Sequence, residues 1–483
     1  MIRSSFWSSL ENIAIQVVSF LVFLVLARLL QPDEYGTVAV SMVFVALVSA
    51  IASFGIQGAI VQGRELETAQ LSSGFWLSLL AGVILYIIIY ACAPYLASFC
   101  GEPEIEHVLI YLGLIGIVQA AEVVPRALLV RNFRFRYLAF KSILSTLVSG
   151  VVGIVMAVEG YGVWALVAQQ LSLATVQAVF SWCGAGWIPA FEINWLRLKS
   201  LLSVSLYLMG NKLSNTMSRQ TDNLLIGTFL GTRELGVYSV GFKLFDTTNS
   251  IFLQSLARLG LPTFSRLQHA PDRLASAYQR AWTMGAAFTL PVFILIILTA
   301  PDLVPMVFGS QWLDSVTVLQ FLMIACCCRA LTNFDTPLLI ACGRVKLVFN
   351  LTLVKAVVNI FGFIVAVKWG VNAVAASFAL AALLMLPVWK IAIEKRTPAS
   401  ITFASRQLGS IGFGLVVLSG AALVVEPLFR DISIVMLIAS QWFIGLVVYG
   451  FVVYMLDRSM QAGLRDLLKM GLNKPSPDED TGH

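Results

Sequence analysis

The stretch "NKLSNTMSRQTDNLL" (residues 211–225) holds a lysine, an arginine, an aspartate and three asparagines. By composition it is a surface loop. Yet it follows "LLSVSLYLMG" (201–210) and runs into "IGTFLG" (226–231), both apolar. It is either a soluble connection between membrane spans or a polar face within one. The rest of the chain decides which.

The 483 residues are 58% hydrophobic and 12% charged, against about 25% charged in a typical soluble domain. A mean hydropathy of +0.86 agrees. The chain reads as an all-α polytopic membrane protein. At roughly 20 apolar residues per span, the apolar runs predict about fourteen transmembrane helices, at 7–30, 36–62, 72–98, 105–125, 138–158, 161–183, 200–229, 235–260, 277–300, 314–341, 346–368, 371–393, 407–426 and 432–456. The N-terminus lacks a short apolar core followed by a small-residue cleavage site, so the first run is expected to be a retained span. The seven cysteines lie mostly within apolar runs without CxxC spacing and read as packing residues. No metal site is expected. The tail "NKPSPDEDTGH" (473–483) reads as disordered.

Charge placement tests the count. With both termini cytoplasmic, the inner segments carry 23 of the 32 Lys and Arg, Arg126, Arg131, Arg134, Arg136 and Lys141 among them. The outer segments carry four: Arg28, Arg233, Lys368 and Arg430. This is the asymmetry that cytoplasmic loops show; it points to a membrane surface rather than to nucleic acid. Removing the seventh span would invert everything after it. So 211–225 belongs to a membrane helix.

Five bases remain within spans: Lys212, Arg219, Lys243, Arg329 and Lys355. At ~1.5 Å per residue, Lys212 lies roughly 20 Å into the seventh span. Lys212, Asn215, Arg219 and Asp222 follow spacings of 3, 4 and 3, so they share one helical face. Lys243, Asp246 and Asn249 continue the pattern in span eight. Span ten offers Arg329, Asn333 and Asp335, and span eleven Lys355 and Asn359. Span one offers Glu11, Asn12, Gln16 and Ser19, and span four Glu122. An intramembrane charge faces protein or water, because facing lipid is costly. Two readings stand. Arg219 with Asp222, and Lys243 with Asp246, are ion pairs that hold helices together. Or the bases line a substrate pathway for phosphate or an acidic sugar, with Lys212, Asn215, Arg219, Lys243, Arg329, Lys355 and Asn359 as substrate-binding residues and Asp222, Asp246 and Glu11 as ion-coupling candidates.

The chain also repeats itself. "ARLLQPDEYGTVAVS" (27–41) aligns with "GTFLGTRELGVYSVG" (227–241), sharing Leu30/Leu230, Glu34/Glu234, Gly36/Gly236 and Val40/Val240. A weaker echo links "YGVWALVA" (161–168) to "WGVNAVAA" (369–376). An offset of six spans keeps orientation, so the halves are parallel repeats. The expected organisation is two six-helix lobes around a central cavity (1–190 and 191–398), two further helices (399–458) and a cytoplasmic tail (459–483). Segment 256–282, basic and partly amphipathic, reads as an inner loop, either lying along the membrane surface or an ordinary positive loop. No HExxH, P-loop or histidine cluster appears, so neither enzyme chemistry nor a cofactor is expected.

"ARLLQPDEYG" (27–36), "FGIQGAIVQ" (54–62), "RALLVRNFRFRYLA" (126–139), "TDNLLIGTFLGTRELGVYSVGFKL" (221–244) and "PMVFGSQW" (305–312) stand in an order and spacing that resembles a known family. They are similar to the Wzx-type oligosaccharide flippases, colanic-acid exporters in particular, of the multidrug/oligosaccharidyl-lipid/polysaccharide exporter superfamily. The resemblance implies fourteen helices in two lobes plus two, alternating access, and a location in the bacterial inner membrane. It implies a lipid-linked oligosaccharide substrate on polyprenyl pyrophosphate, with a polysaccharide polymerase and export machinery as partners and Na+ or H+ coupling in some relatives. Of the site residues, Asp222 and Asn223 in "TDNLLIG" carry over by motif. Two rivals share the superfamily: a drug/cation antiporter and a peptidoglycan-precursor flippase. A membrane glycosyltransferase is the rival of another class; large outer loops would favour it, and the loops here are short.

Overall fold

The computed structural model describes residues 2–52, 56–62, 68–191, 213, 216–217, 220–397, 402–429 and 433–456. All described secondary structure is helical. The first half runs α1 (Ile2–Leu29), α2 (Pro32–Ala52), α3 (Ile56–Gln62), α4 (Thr68–Cys100), α5 (Glu104–Arg131), α6 (Phe135–Val158) and α7 (Val163–Ala185). The second half runs α8 (220–229), α9 (Thr232–Thr248), α10 (Ser255–Arg266), α11 (Pro271–Phe308), α12 (Ser315–Thr332), α13 (Asp335–Ala341), α14 (Val345–Ala366), α15 (Val371–Arg396), α16 (Thr402–Phe429) and α17 (Ile434–Leu456). Among the described residues, eleven helical segments are long and apolar enough to cross a membrane, and residues 15–29 form a shorter apolar helix. With α8 and α9, these account for a fold of about fourteen membrane helices.

The outward faces confirm the solvent. On α4, Leu80, Ile84, Ile87 and Ile88 are all exposed, at the spacing of one helical stripe. An exposed apolar band on a long helix belongs against lipid.

Several boundaries depart from the sequence reading. The second span ends at Ala52, and α3 is a separate short helix. Residues 256–282 are not a loop. A continuous helical path runs through α9, a π-helical segment at Asn249–Gln254 and α10 to Arg266, and α11 begins at Pro271. Only 267–270 connect them. Pro271 opens α11, where a missing N–H costs nothing, and the Leu274 N–H bonds the Ala270 carbonyl.

The residues form two compact units. The first comprises Met1–Ile251, Val307–Leu322 and Val354–Ala381; the second comprises Phe252–Met306, Met323–Leu353 and Ala382–His483. In the first, α4 packs on α5, α6 on α7, and α2 on α9. The α2–α9 contact joins the two repeats reciprocally. A Cβ on Gly36 would stand 1.7 Å from the Thr232 carbonyl oxygen, and one on Gly236 would stand 1.8 Å from that of Pro32. The shared "E-x-G" of the repeat thus has a physical reason: each glycine receives the opening residue of the other helix. The same end is tied by the Trp312 indole N–H to the Ala27 carbonyl (2.7 Å) and by the Arg28 Nε–H to the Val307 carbonyl (2.9 Å). Glu34 closes the start of α2, its carboxylate accepting from the Gln31 N–H at 2.6 Å. In the second unit, Phe264, Trp282, Phe334 and Trp389 centre the core.

Replacing Gly36 or Gly236 by alanine forces the α2 and α9 backbones apart. The expected cost is about 1–3 kcal/mol, seen as a lower thermal unfolding midpoint of the detergent-purified protein. An unchanged midpoint in both variants would mean that these helices do not meet so closely.

Candidate functional site

Lys212, Asn215 and Arg219 lie outside the described residues, and so does the Glu11 side chain. The question of an Arg219–Asp222 pair is therefore carried by Asp222 alone. Asp222 is 5% exposed. Its Oδ2 accepts from the Tyr238 hydroxyl at 2.9 Å and its Oδ1 from the Asn223 N–H at 2.9 Å. It ties α8 to α9 through neutral donors.

Lys243 behaves differently. The Asp246 carboxylate, three residues on, attracts it from beyond ion-pair distance, and its Nζ has no hydrogen-bond partner among the described residues. It stands 5.9 Å from the centre of the Phe23 ring, a weak cation–π contact. It lines a cavity of about 350 Å³ walled by α1, α2, α6, α7 and α9. Ser19, Ser149, Gln169, Gln170 and Ser239 add polar groups; Phe23, Leu26, Tyr35 and Leu173 add apolar ones. Both repeats therefore contribute to one pocket inside the first unit. The pocket can take an anionic group at Lys243 and hydroxyl or amide groups along α7.

The other expected residues lie elsewhere. Lys355 and Asn359 share a face of α14 in the first unit but do not line this cavity. The Asn359 side-chain oxygen is buried without a hydrogen-bond partner among the described residues. Arg329 belongs to the second unit. Nearby in that unit, the Asn333 side-chain amide donates to the Leu253 carbonyl at 2.9 Å, holding the break between α12 and α13 against the helix that follows α9.

Two buried ion pairs escaped the sequence reading, because both lysines were counted with the cytoplasmic bases. Lys141 on α6 donates to Glu122 Oε1 on α5 and to Ser181 Oγ on α7. Ser181 in turn donates to the same Glu122 oxygen at 2.8 Å. Lys390 on α15 donates to both oxygens of Asp335 (3.0 and 3.1 Å) and to the Leu331 carbonyl (2.7 Å), and lies over the Trp282 ring. The Tyr278 hydroxyl donates to Asp335 at 2.7 Å. Depth counting would have found both lysines: Lys141 is six residues into α6, and Lys390 is six before the end of α15, each about 9 Å along its helix.

The fold is that of a polytopic membrane protein with a polar cavity between its helices. The chain superposes on a structure described as lipid II flippase MurJ in an inward closed conformation, with a TM-score of 0.75 over 95% of this chain and 99% of that one, at 12% identity. An inward-facing multidrug resistance MATE family transporter of the MOP superfamily gives 0.60 over 80% and 98%, at 16% identity. Residues 25–317 match the polysaccharide biosynthesis protein family, and the chain belongs to it. It is 27% identical over 357 residues to the succinoglycan biosynthesis transport protein ExoT of Rhizobium meliloti (strain 1021), covering 74% of this chain and 72% of that one. It is 21% identical over 367 residues to the lipopolysaccharide biosynthesis protein WzxC of Escherichia coli (strain K12), covering 75% and 74%. The exporter resemblance and the all-α polytopic fold implied by the sequence both stand.

Replacing Lys390 by methionine strands the fully buried Asp335 carboxylate. Breaking a buried pair from one side costs about 3–5 kcal/mol. The purified variant should unfold at a clearly lower temperature, and adding Asp335→Leu should recover much of the loss. A single variant as stable as the wild type would remove this pair from the core of the second unit.

Proposed function

We propose that this protein is a flippase that moves polyprenyl-pyrophosphate-linked oligosaccharide units across the bacterial inner membrane by alternating access, for surface or exopolysaccharide assembly. Both termini face the cytoplasm. One observation supports the reading: Lys243 lines a cavity built by both repeats, and no carboxylate of a described residue stands within ion-pairing distance of its ammonium, Asp246 acting on it only at longer range. An unpaired ammonium at membrane depth is costly unless water or an anion completes it. A pyrophosphate supplies that anion, and the serines and glutamines of α1, α6 and α7 replace part of the hydration the head group loses. The lipid tail stays in the bilayer. The likeness to ExoT and WzxC supports a polysaccharide cargo, and that to MurJ supports a lipid-linked one.

Lys243 disfavours the drug/cation antiporter, since a cation in the same cavity would be repelled. Alternating access requires the α2–α9 contact at Gly36 and Gly236 to part. For Na+ or H+ coupling, Asp246 suits better than Asp222, whose two oxygens already hold Asn223 and Tyr238. The polymerase that uses the unit on the far side is the expected partner.

Gene disruption should stop polysaccharide production and leave lipid-linked intermediate on the inner leaflet. Complementation with Lys243→Glu should restore less than about a tenth of the export at wild-type protein levels, as expected for one buried phosphate contact. Full export by that variant, or unaltered polysaccharide after disruption, would end the proposal.

A further inference from the structure

The two buried ion pairs are not equivalent. Asp335, on the tenth span, is closed on every side: both its oxygens hold Lys390, and Tyr278 adds a third donor. Glu122, on the fourth span, is 4% exposed. Yet its Oε1 alone takes both Lys141 and Ser181. Its Oε2 has no partner among the described residues, and Glu122 lines a second chamber within the first unit, apart from the Lys243 cavity.

That chamber is polar and unsatisfied. Gln119, Glu122 and Arg126 face it from α5 at spacings of 3 and 4, one helical face. Gln57 of α3 and Gln177 of α7 stand around it. Ser49 of α2 adds a hydroxyl that is buried without a hydrogen-bond partner among the described residues. None of the three glutamine amides, nor the Arg126 guanidinium, makes a side-chain hydrogen bond to a described residue. Gly116 and Ala174 keep side-chain bulk out of the space. Gln119 and Arg126 are exposed, so the chamber opens on that side. Unsatisfied buried polar groups are costly and few in folded proteins; the Ser49 hydroxyl is such a group, and with the half-buried Gln57 and Gln177 and the exposed Gln119 and Arg126 around it it marks a place where a polar ligand completes the set.

The chemistry selects the ligand. Amides donate and accept at once, and a carboxylate oxygen accepts hydroxyl protons; together they match the alternating donors and acceptors of a sugar ring. A bare cation is disfavoured, because Lys141 and Arg126 flank Glu122 and leave the chamber with one net positive charge. Arg126 would suit an acidic substituent on the sugar.

We propose that this chamber is a glycosyl subsite, in which a sugar of the cargo is held by Glu122 Oε2, Ser49 and the three glutamines while the pyrophosphate lies at Lys243. This rests on the flippase reading above. It makes glycan preference a property of the first repeat, set by α2, α3, α5 and α7. The Glu122–Lys141–Ser181 cluster is then a positioning device: it fixes one carboxylate oxygen so that the other points to the sugar.

The test uses the full chain in lipid nanodiscs and two probes: undecaprenyl pyrophosphate without sugar, and lipid-linked oligosaccharide extracted from the producing cells. The wild type should bind the glycosylated lipid at least about tenfold more tightly, the equivalent of one or two hydrogen bonds. Gln177→Leu, Gln57→Leu and Ser49→Ala should each weaken that binding about three- to tenfold and leave the bare lipid unchanged, which also shows that they fold. Lys243→Ala should weaken both. Equal affinity of the wild type for the two lipids overturns the subsite while leaving the flippase reading intact. So does an unchanged affinity of all three variants for the glycosylated lipid, or an equal loss on both lipids in all three. Failure of the wild type to bind either lipid overturns both readings.

Discussion

A charge within the hydrocarbon layer must be paired or wet, and the placement of ionisable residues follows from that constraint. Asp335 with Lys390 is the paired solution, with a donor on each carboxylate oxygen. Asp222 is held among the described residues by neutral donors, the Tyr238 hydroxyl and the Asn223 N–H. Lys243 is the wet solution: its ammonium is left to a cavity. Glu122 stands between the two, with one oxygen spent on the fold and one left for the chamber. The gradation runs from scaffold to site, and it separates charges that hold helices together from charges that can hold a ligand.

The repeat explains how a cavity arises between helices of distant sequence. Gly36 and Gly236 each accept the first residue of the opposite helix, so α2 and α9 approach at backbone distance near one end. Two helices held that close at one end leave the space beside them to be filled by whatever side chains lie deeper. Phe23, Leu26 and Tyr35 fill part of it. The remainder is the pocket of Lys243, with α6 and α7 closing its other walls. Spacing within a single helix shows none of this; the reciprocity appears only when both copies of "E-x-G" are placed together.

Much of the fold was legible in the sequence. Apolar run length and basic-residue asymmetry are coarse, additive signals, and a membrane makes them decisive. What they missed was local. Residues 256–282 read as a loop because four arginines, all exposed, and two prolines break the apolar run, yet Phe264, Leu274, Tyr278 and Trp282 are nearly fully buried, and that burial keeps the segment helical. The short α3 and the α12–α13 break were hidden because neighbouring apolar residues on either side read as one run.

The candidate site was less legible, for a different reason. Counting bases by side of the membrane assigns each lysine to a segment, whereas burial assigns it to a depth and a partner. Lys141 and Lys390 sit about one and a half turns inside their helices, so a count by segment credits them to the loops. Their carboxylates were visible, Glu122 as a lone acid in span four and Asp335 at the end of span ten. An acid at such a depth needs donors within reach, and for these two a base supplies them from whichever helix packs beside it. In the first repeat that helix is α6, and in the second it is α15, so the same requirement is met from different spans in the two halves. Repeated topology therefore preserves the need for a partner but not the residue that supplies it. This leaves one repeat free to keep a carboxylate oxygen for a ligand while the other closes its pair completely.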